Sequence, residues 1–428
     1  MLGWEFPPVI TGGLGMACYG LTKAMAHLGV QITFVLPKLS IGESPGHVRR
    51  TSTQGEIKIE ELSEFENVSF HTIASTLRPY ACAGSQSASQ RRKENLVAVW
   101  RCRGSKEINN YGENIYQEVY RYAAKAAEIA SVENFDIVHA HDWMTFPAGI
   151  TIAKASAKPL IVHIHSTEFD RSGEHVNQTI YDIEREGMHK ANKVIAVSNY
   201  TKSIIVSRYG IGPEKVEVVY NAIDPDNHYD SRLGQSLPDR AERIVLFLGR
   251  LTMQKGPEYF LAAAKKVLEK VENVKFVMVG AGDMMHRAIE MAAQMGIGHK
   301  VIFTGFLQGD DVSKIYRMAD IYVMPSVSEP FGIASLEALS HQVPVLISKH
   351  SGAAEVLTHA LKVDFWDINQ MANKIIAVLK HGALRTSLQE NGYREISKFR
   401  WEDSAAKVIN IYEQTLALSA YPAEKGSF

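Results

Sequence analysis

The sequence predicts an α/β protein made of two doubly wound domains that face a cleft. Short apolar runs rich in Val and Ile alternate with longer amphipathic stretches along the chain. The runs are continuous in their apolar character, which is typical of parallel strands covered by helices on both faces. At 428 residues the chain also exceeds the size at which single hydrophobic cores stop growing, about 250 to 300 residues. Two cores, each built around a parallel sheet, are therefore expected.

Buried strands are predicted in both halves of the chain. Helical patterns such as EVYRYAAKAAEIA and YFLAAAKKVLEKV lie between them, as right-handed crossovers require. Residues 40–110 are the least regular part, and we expect inserted loop and strand there, with the basic run SQSASQRRK as a solvated surface. The predicted strands are QITFVL at 31, FDIVHA at 135, PLIVHIH at 159, KVIAVS at 193, KVEVVY at 215, RIVLFLG at 243, VKFVMVG at 274, KVIFTG at 300, DIYVMP at 320 and VPVLIS at 343.

A polar segment rich in Asp, Pro and Gly marks the domain boundary. It covers residues 221–242 and is followed by a new buried strand at 243. We expect a first domain over residues 1–222 and a second over 223–400. The stretch WEDSAAKVINIYEQTLALSA predicts a final amphipathic helix within 401–428.

Composition excludes several classes of protein. The formal net charge is -1, so the electrostatic footprint of a nucleic-acid-binding protein is absent. The three cysteines, Cys18, Cys82 and Cys102, are too few for a disulfide framework. No apolar run approaches the roughly 18 residues of a membrane span, and MLGWEFPP lacks the features of a signal peptide. A cytoplasmic protein is expected, and peripheral membrane contact through the basic run stays open.

The segment TGGLG at 11–15 precedes a helical pattern. Glycines allow a ligand close to the backbone, and the N–H groups at a helix start attract phosphate. A tight turn would explain the same residues. The dinucleotide fingerprint is not met here, nor at Gly280-Ala281-Gly282, where Met285 stands at the third glycine position. NAD is therefore disfavoured.

The segment GRLTMQKG at 249–256 follows a predicted strand directly. Arg250 and Lys255 thus leave the carboxyl end of a parallel strand, where α/β sheets bind ligands. A guanidinium offers a fork for two phosphate oxygens and an ammonium offers a point charge. Both suit a diphosphate, although exposed loop residues of either type are also common.

Two carboxylates stand eight residues apart in SEPFGIASLEAL, at 328–339. Pro330 disfavours helix at Glu329, so this carboxylate is expected in a loop. The helix should begin near residues 332–334 and place Glu337 in its first turns. Its N-terminal N–H groups would favour an anion, while the carboxylates can accept bonds from sugar hydroxyls.

Histidines follow two strands of the first half, in HAHDW at 139–143 and HIHSTEFD at 163–170. His141, Asp142 and His165 should lie at strand ends. We expect His139 and His141 to point to opposite faces of the sheet. No spacing resembles a zinc site, so no metal site is predicted.

Taken together, the motifs resemble a retaining glycosyltransferase of the GT-B fold, glycosyltransferase family 4. The resemblance covers nearly the whole chain, and glycogen and starch synthases share many of its motifs. The start WEFPP and the triplet HDW are particularly similar to those synthases. The matching motifs, in the expected order, are GGLG, HDW, HIHS, NAID, GRLTMQKG, FTGFL and EPFGIASLEAL.

The resemblance implies that the C-terminal helix, within 401–428, crosses back onto the first domain. It also implies a role for each matching residue. Arg250 and Lys255 would hold the diphosphate of the donor, and Glu337 the ribose hydroxyls. Glu329 would contact the transferred sugar and His165 would lie near the reacting carbon, so His165, Arg250, Lys255 and Glu329 are the catalytic candidates. The remaining candidates line the donor or the acceptor: Gly12 and Gly13 at the diphosphate, Phe331, Gly332 and Ile333 at the sugar, Phe306 and Leu307 at the base, and Glu5, Asp142 and Asn221 among the polar residues of the cleft.

The implied reaction is transfer of a hexosyl group, in particular glucosyl, from a nucleoside diphosphate sugar to an acceptor hydroxyl. UDP- or ADP-glucose is the expected donor, a linear α-glucan the expected acceptor, and no cofactor is implied. A lipid-linked or small-molecule acceptor, an epimerase of the same fold and a catalytically silent nucleotide-sugar-binding protein stay open. Two departures bear on this: Ile10 replaces the lysine of the synthases, and only Met1 and Leu2 stand where the first central strand is expected.

Overall fold

A computed structural model describes residues 1–7, 12–39, 67–75, 115–223 and 242–420 of the chain. Its strands are β1 (Ile32–Leu39), β2 (Val68–Ser75), β3 (Val138–His141), β4 (Leu160–Ile164), β5 (Lys193–Ala196), β6 (Val216–Val218), β7 (Arg243–Leu248), β8 (Val274–Val279), β9 (Val301–Gly305), β10 (Ile321–Met324), β11 (Val345–Ser348) and β12 (Leu361–Val363). Its helices are α1 (Gly13–His27), α2 (Ile115–Ala130), α3 (Phe146–Ser156), α4 (Glu168–Ser172), α5 (Gln178–Lys190), α6 (Asn199–Tyr209), α7 (Pro257–Leu268), α8 (Met285–Gln294), α9 (Asp310–Met318), α10 (Ile333–Ser340), α11 (Ala353–Val356), α12 (Ile368–Lys380), α13 (Gly382–Ile396) and α14 (Trp401–Ala420).

All the apolar runs that predict strands contain a strand, and the α/β fold class is confirmed. Periodicity did not single out β12, which is only a three-residue edge strand. The irregular stretch contributes β2. Its basic run at 85–93, together with Ile10, Cys82 and Cys102, lies outside the described residues.

The sheet of the first domain is parallel and is completed by the first residues of the chain. Strands β3, β4, β5 and β6 pair in that order, and β1 pairs with β2. Leu2 joins the two groups, because it bridges to Val35 of β1 and Ala140 of β3. Its N–H donates to the carbonyl of His139 at 2.8 Å, and its own carbonyl accepts from His141 N–H at 3.0 Å. Residues 1–3 therefore stand as a short central strand.

The second sheet is also parallel, with the strand order β12-β11-β10-β7-β8-β9. The chain builds outward from β7 in one direction and then restarts at β10 on its other side. The loops after β7 and β10 consequently diverge and leave a crevice at the carboxyl end of the sheet. Open α/β sheets bind their ligands at such a reversal of strand order.

Each sheet is covered on both faces. In the first domain one face packs against α2, α3, α5 and α6, and the other against α1 and α14. In the second domain α7, α8 and α12 cover one face, while α9, α10 and α11 cover the other. Strands buried in this way expose no polar face, which explains why their sequences are continuously apolar.

Helix α14 lies on the first domain although it follows the second in sequence. Its residues Ala405, Val408 and Ile411 are buried in the same apolar cluster as Cys18 and Phe34. Gly20 of α1 lies against the indole of Trp401, and a Cβ at this position would collide with that ring. The two helices can approach this closely only because the residue at the crossing has no side chain.

Candidate active site

The basic residues after β7 meet the acidic loop after β10 at the crevice of the second sheet. β7 and β10 are neighbours, with Ile321 paired to Val245 and Tyr322 to Leu246. Lys255 Nζ donates to Glu329 Oε2 at 2.5 Å. Ser326 Oγ donates to the same carboxylate oxygen at 3.1 Å. Two residues 74 positions apart in sequence thus share one site because their strands are adjacent.

The main chain of the acidic loop is held on both sides of Glu329. Its N–H donates to the carbonyl of His350 at 2.9 Å, and its own carbonyl accepts from Gly352 N–H at 3.0 Å. The carboxylate is almost fully buried, with 6% of the residue exposed. Glu329 is therefore fixed in the loop, as the proline after it predicts.

Helix α10 begins at Ile333, directly after a glycine that the turn requires. Gly332 has φ 103°, in the region that side chains rarely adopt. A Cβ there would lie 2.9 Å from Met324 Cε and 3.2 Å from Glu329 Cγ. The turn brings the start of α10 next to Glu329, and the N–H groups at a helix start attract anions.

Glu337 lies five residues into the same helix and has a separate environment. The hydroxyl of Tyr316 donates to Glu337 Oε2 at 3.1 Å and also contacts the carbonyl of Ala334 at 3.2 Å. Burial raises the pKa of Glu337, against the opposing effect of the Tyr316 hydrogen bond. The two carboxylates of the motif therefore have different partners and do not form an acid/base pair with each other.

In the first domain, Asp142 positions the turn that carries His165. Its N–H bonds to the carbonyl of His163 at 3.0 Å. Its Oδ1 accepts from the backbone N–H of His165 at 2.7 Å and of Ser166 at 3.4 Å. Asp142 has φ 59°, an uncommon conformation for a residue with a side chain. Burial raises the pKa of this carboxyl to about 7. Its visible role is to hold His165.

The other candidates have different surroundings. Gly12 immediately precedes α1 and Gly13 begins it, and a Cβ on Gly13 would reach Ile333 Cδ1 of the second domain at 4.0 Å. Phe306 follows β9 and is 54% exposed, whereas Leu307 packs against the apolar cluster under α10. Phe331 lies buried in that cluster, and Glu5 and Asn221 are buried in or beside the first domain.

Contacts across the two domains fix the acidic loop in a way that the motifs did not predict. Ser328 Oγ donates to Asp170 Oδ1 at 2.5 Å, and the hydroxyl of Tyr200 bonds to the same serine at 3.0 Å. Ser198 Oγ donates to the carbonyl of Pro330 at 2.6 Å. The first domain therefore contacts the residues on both sides of Glu329. Ser198 at the start of α6 is a residue type that caps helices, which the sequence shows. Its bond to Pro330 in the other domain could not be predicted in that way.

The histidines of the first domain correct one expectation. His139 and His141 lie on the same face of the sheet, with stacked rings 4.3 Å apart, because residues two apart on a strand share a face. His163 and His165 stack beside them from β4 and the turn after it, at 4.3 Å. The prediction of opposite faces was wrong. Among the described residues, two sets of side chains could hold a metal ion: His139, His141 and His163, and Cys18, His141 and His165.

Along most of its length the chain is similar to known glycosyltransferases. The family profile of glycosyl transferases group 1 matches residues 232–395, and that of Glycosyltransferase Family 4 matches residues 78–227. An uncharacterized glycosyltransferase of Methanocaldococcus jannaschii is 29% identical over 96% of this chain and 97% of its own length. A glycogen synthase of Mycobacterium tuberculosis is 24% identical over 96% of this chain and 93% of its own length.

Solved structures share the fold at low sequence identity. Sucrose-phosphate synthase from Thermosynechococcus elongatus has a TM-score of 0.73 at 19% identity, covering 97% of this chain and 98% of that one. Anabaena HepE, in complex with UDP and glucose, has a TM-score of 0.69 at 18% identity, with 96% and 99% covered. The catalytic domain of starch synthase IV from Arabidopsis thaliana, bound to ADP and acarbose, also has 0.69 at 18%, with 97% and 98% covered.

Across the parts of the chain that the structure describes, we find no helix with the length and apolar character needed to cross a membrane.

Proposed function

Since this chain is a GT-B glycosyltransferase of group 1, a hexosyltransferase that uses a nucleotide sugar, we propose that it transfers a glucosyl group with retention of configuration. The proposed donor is UDP- or ADP-glucose and the proposed acceptor is a hydroxyl of a linear α-glucan. The observation that carries the proposal is the meeting of Lys255 and Glu329 at the crevice between β7 and β10. An ammonium group that can bind phosphate and a carboxylate that can bind sugar hydroxyls lie side by side there.

On the donor side, each element of a nucleotide sugar has a complementary group. Arg250, Lys255 and the first N–H groups of α10 would neutralise the diphosphate. Glu329 would hold the hydroxyls of the sugar and Glu337 those of the ribose. Phe306, exposed at the end of β9, would cover the base together with Leu307. Gly12 and Gly13 let the first domain approach without side chains.

The proposed mechanism follows from the hydrogen bonds that the two carboxylates already accept. Retention usually involves a carboxylate nucleophile paired with a second carboxyl about 5 Å away. Here Glu329 is bonded to Lys255 and Ser326, and Glu337 to Tyr316. We therefore propose attack from the same face as the leaving group. The bond from the anomeric carbon to the phosphate oxygen breaks, the acceptor oxygen bonds to that carbon, and the acceptor's proton passes to the departing phosphate.

Electrostatic stabilisation of the departing diphosphate would then supply most of the rate. Fixed charges in a water-poor cleft act strongly on a developing anion, because they need no reorganisation during the reaction. His165, held through its backbone by Asp142, would orient the sugar near the reacting carbon. This mechanism requires no cofactor and no metal ion.

The glucan acceptor rests on similarity to proteins that handle related molecules. The matching Mycobacterium tuberculosis protein is named glycogen synthase, and the matching starch synthase domain was solved with ADP and acarbose. Specificity in a cleft of this kind depends on a few hydrogen bonds and on loop shape. The acceptor is therefore the part of the proposal that most needs a direct test.

The test is nucleotide release from UDP-, ADP- and GDP-sugars, with and without glycogen or maltooligosaccharide. Release from UDP- or ADP-glucose that the primer stimulates, and that Glu329→Ala abolishes, would support the proposal. Analysis of the anomeric proton of the product by NMR would test retention. Release from another donor alone would overturn the glucosyl assignment. Interconversion of sugars without net nucleotide release would indicate an epimerase, and nucleotide binding without turnover a silent protein.

A further inference from the structure

The histidines under the sugar site form a compact three-membered group that the transfer reaction does not use. His139 and His141 project from β3, and His163 stands directly beside His141 on β4. The ring centroids lie 4.3 Å apart for His139 and His141, 5.2 Å for His141 and His163, and 5.4 Å for His139 and His163. All three side chains are buried between the sheet and helices α1 and α14.

Their ring nitrogens are divided between partnered and unpartnered atoms. His139 Nδ1 bonds to the hydroxyl of Tyr412 at 2.5 Å, and His141 Nδ1 bonds to His165 Nε2 at 3.0 Å. The Nε2 atoms of all three rings, and His163 Nδ1 as well, are buried without a hydrogen-bond partner among the described residues. Buried polar atoms are normally satisfied, and a cluster of exceptions indicates a bound water or ion.

The partnered nitrogens fix which atoms carry lone pairs. If His139 and His141 donate their Nδ1 protons to Tyr412 and His165, the lone pairs of both rings lie on Nε2. Histidines that bind metals have the same division, in which the second ring nitrogen donates to a neighbouring group and fixes the tautomer. A water would satisfy some of these atoms, but a cation would satisfy one lone pair on each of the three rings at once.

We propose that His139, His141 and His163 bind one Zn²⁺ ion, or a similar divalent transition metal, at a site distinct from the transfer chemistry. Neutral imidazoles suit these ions. One nitrogen from each of the three rings lies within 4.8 Å of the others. Zinc holds nitrogens at about 2.0–2.1 Å, which separates them by about 3.4 Å. The rings therefore turn out of their stack and towards one another when the ion binds.

The fourth position on the ion is left for a water. The sulfur of Cys18 lies within 4.8 Å of nitrogens of His141 and His165, but that group includes neither His139 nor His163. Three histidines and one water would give a tetrahedral set that links β3 to β4. The ion would also keep the proton of His141 on Nδ1, facing His165. Metal binding and the orientation of the proposed sugar-contacting histidine are thereby connected through one ring.

The test is the metal content of the protein. The chain is expressed without a histidine tag in zinc-supplemented medium. Because the site is buried, the ion should survive extensive dialysis, after which bound metal is measured by mass spectrometry. We expect one zinc per chain, and a melting temperature that falls when a chelator removes it, since an ion bound only to the folded state stabilises it. Cobalt replacing the zinc should give the visible absorption of a four-coordinate site.

Two variants separate a built site from adventitious binding. His163→Asn should lose the ion, whereas His299→Asn, an exposed histidine outside the cluster, should keep it. If His163→Asn fails to fold, Tyr412→Phe removes only the partner of His139, and it should weaken zinc affinity about 10- to 100-fold, as losses of such partners do. Absence of zinc from the unaltered protein, or equal zinc content in His163→Asn and His299→Asn, would overturn the proposal.

Discussion

Lys255 and Glu329 neutralise each other at 2.5 Å across the boundary between two adjacent strands. The pair is partly buried, with 22% of the lysine side chain and 7% of the glutamate side chain exposed. A nucleotide sugar entering this site would meet both charges already in position. Removing one partner leaves the other as an uncompensated buried charge, which costs more than loss of the pair as a whole.

The first prediction concerns this pair. Lys255→Ala should lower kcat by one order of magnitude or more, because the leaving diphosphate loses its point charge. Steady-state assays of nucleotide release measure kcat. Lys349→Ala is the matched control, since Lys349 pairs with Asp364 at 2.8 Å on the same domain but on an exposed surface. Near-normal kcat in Lys255→Ala would disprove the phosphate role.

A double-mutant cycle tests the coupling between the two charges. Lys255→Ala combined with Glu329→Ala should cost less unfolding free energy than the two single changes added together. Urea denaturation gives the change in unfolding free energy for each single variant and for the double variant. Simple additivity would show that the ion pair contributes nothing specific to the loop.

The second prediction concerns Tyr316, whose hydroxyl bonds to Glu337. Tyr316→Phe should weaken donor binding about 3- to 10-fold, because a hydrogen bond of about 1 kcal/mol that orients the carboxylate is lost. Isothermal titration with UDP or ADP measures the affinity. Tyr120→Phe, on an exposed face of α2, serves as the control. An unchanged affinity in Tyr316→Phe would mean that Glu337 needs no positioning.

The third prediction is a pH dependence with a defined sign. Burial raises the pKa of Glu337, so this group takes up a proton at a higher pH than an ordinary glutamate. The charged form is the one that can accept both ribose hydroxyls. Donor affinity should therefore weaken as the pH falls through the raised pKa, beginning above the ordinary value of about 4.3. Glu337→Gln should bind more weakly at neutral pH and lose this dependence. A pH profile of Kd that is identical in the two proteins would exclude Glu337 from the ribose site.

The fourth prediction concerns the contact between the domains. Ser328→Ala removes the hydrogen bonds to Asp170 and Tyr200, and so loosens one of the contacts that hold the loop next to Glu329. We expect kcat/KM to fall about 3- to 10-fold, the effect of a hydrogen bond of about 1 kcal/mol, while the melting temperature changes little. Ser203→Ala, an exposed serine of α6 that bonds only within its own helix, should leave both unchanged. A large fall in melting temperature without a loss of kcat/KM would show that the contact is purely structural.

The fifth prediction concerns the crossing of α1 and α14. Gly20→Ala forces a methyl group against Trp401 and should destabilise the fold by about 1 to 3 kcal/mol. Gly382→Ala, where a Cβ would meet nothing within 4 Å, should be close to neutral. Guanidinium denaturation of both variants measures the difference. Equal stabilities would mean that the two helices can separate at no cost.

The meeting of Lys255 and Glu329 could be predicted from sequence because the features that lead to it are local. Arg250, Lys255 and Glu329 each follow a buried strand within a few residues, and parallel topology brings the ends of such strands to one edge. Pro330 and Gly332 fix the loop and the helix start through backbone restrictions that operate on single residues. These features needed no knowledge of the tertiary structure.

Contacts between distant segments could not be predicted in the same way. Asp170 and Ser328 are 158 residues apart, and neither has a local pattern that names the other. The shared face of His139 and His141, by contrast, was available from the period of two along a strand and was misjudged. Their approach to His163 depended on the register of β3 and β4, which the sequence alone does not specify.

The position of α14 has a consequence for synthesis on the ribosome. Domains generally fold as units, the N-terminal one first, while the chain emerges. Here Ala405, Val408 and Ile411 complete a cluster that begins with Phe6 and Cys18, so the nascent first domain lacks one wall of its core until the second has been made. Its apolar face against α1 is exposed to other chains for that interval. The core of the first domain can therefore close only after the second domain has been synthesised.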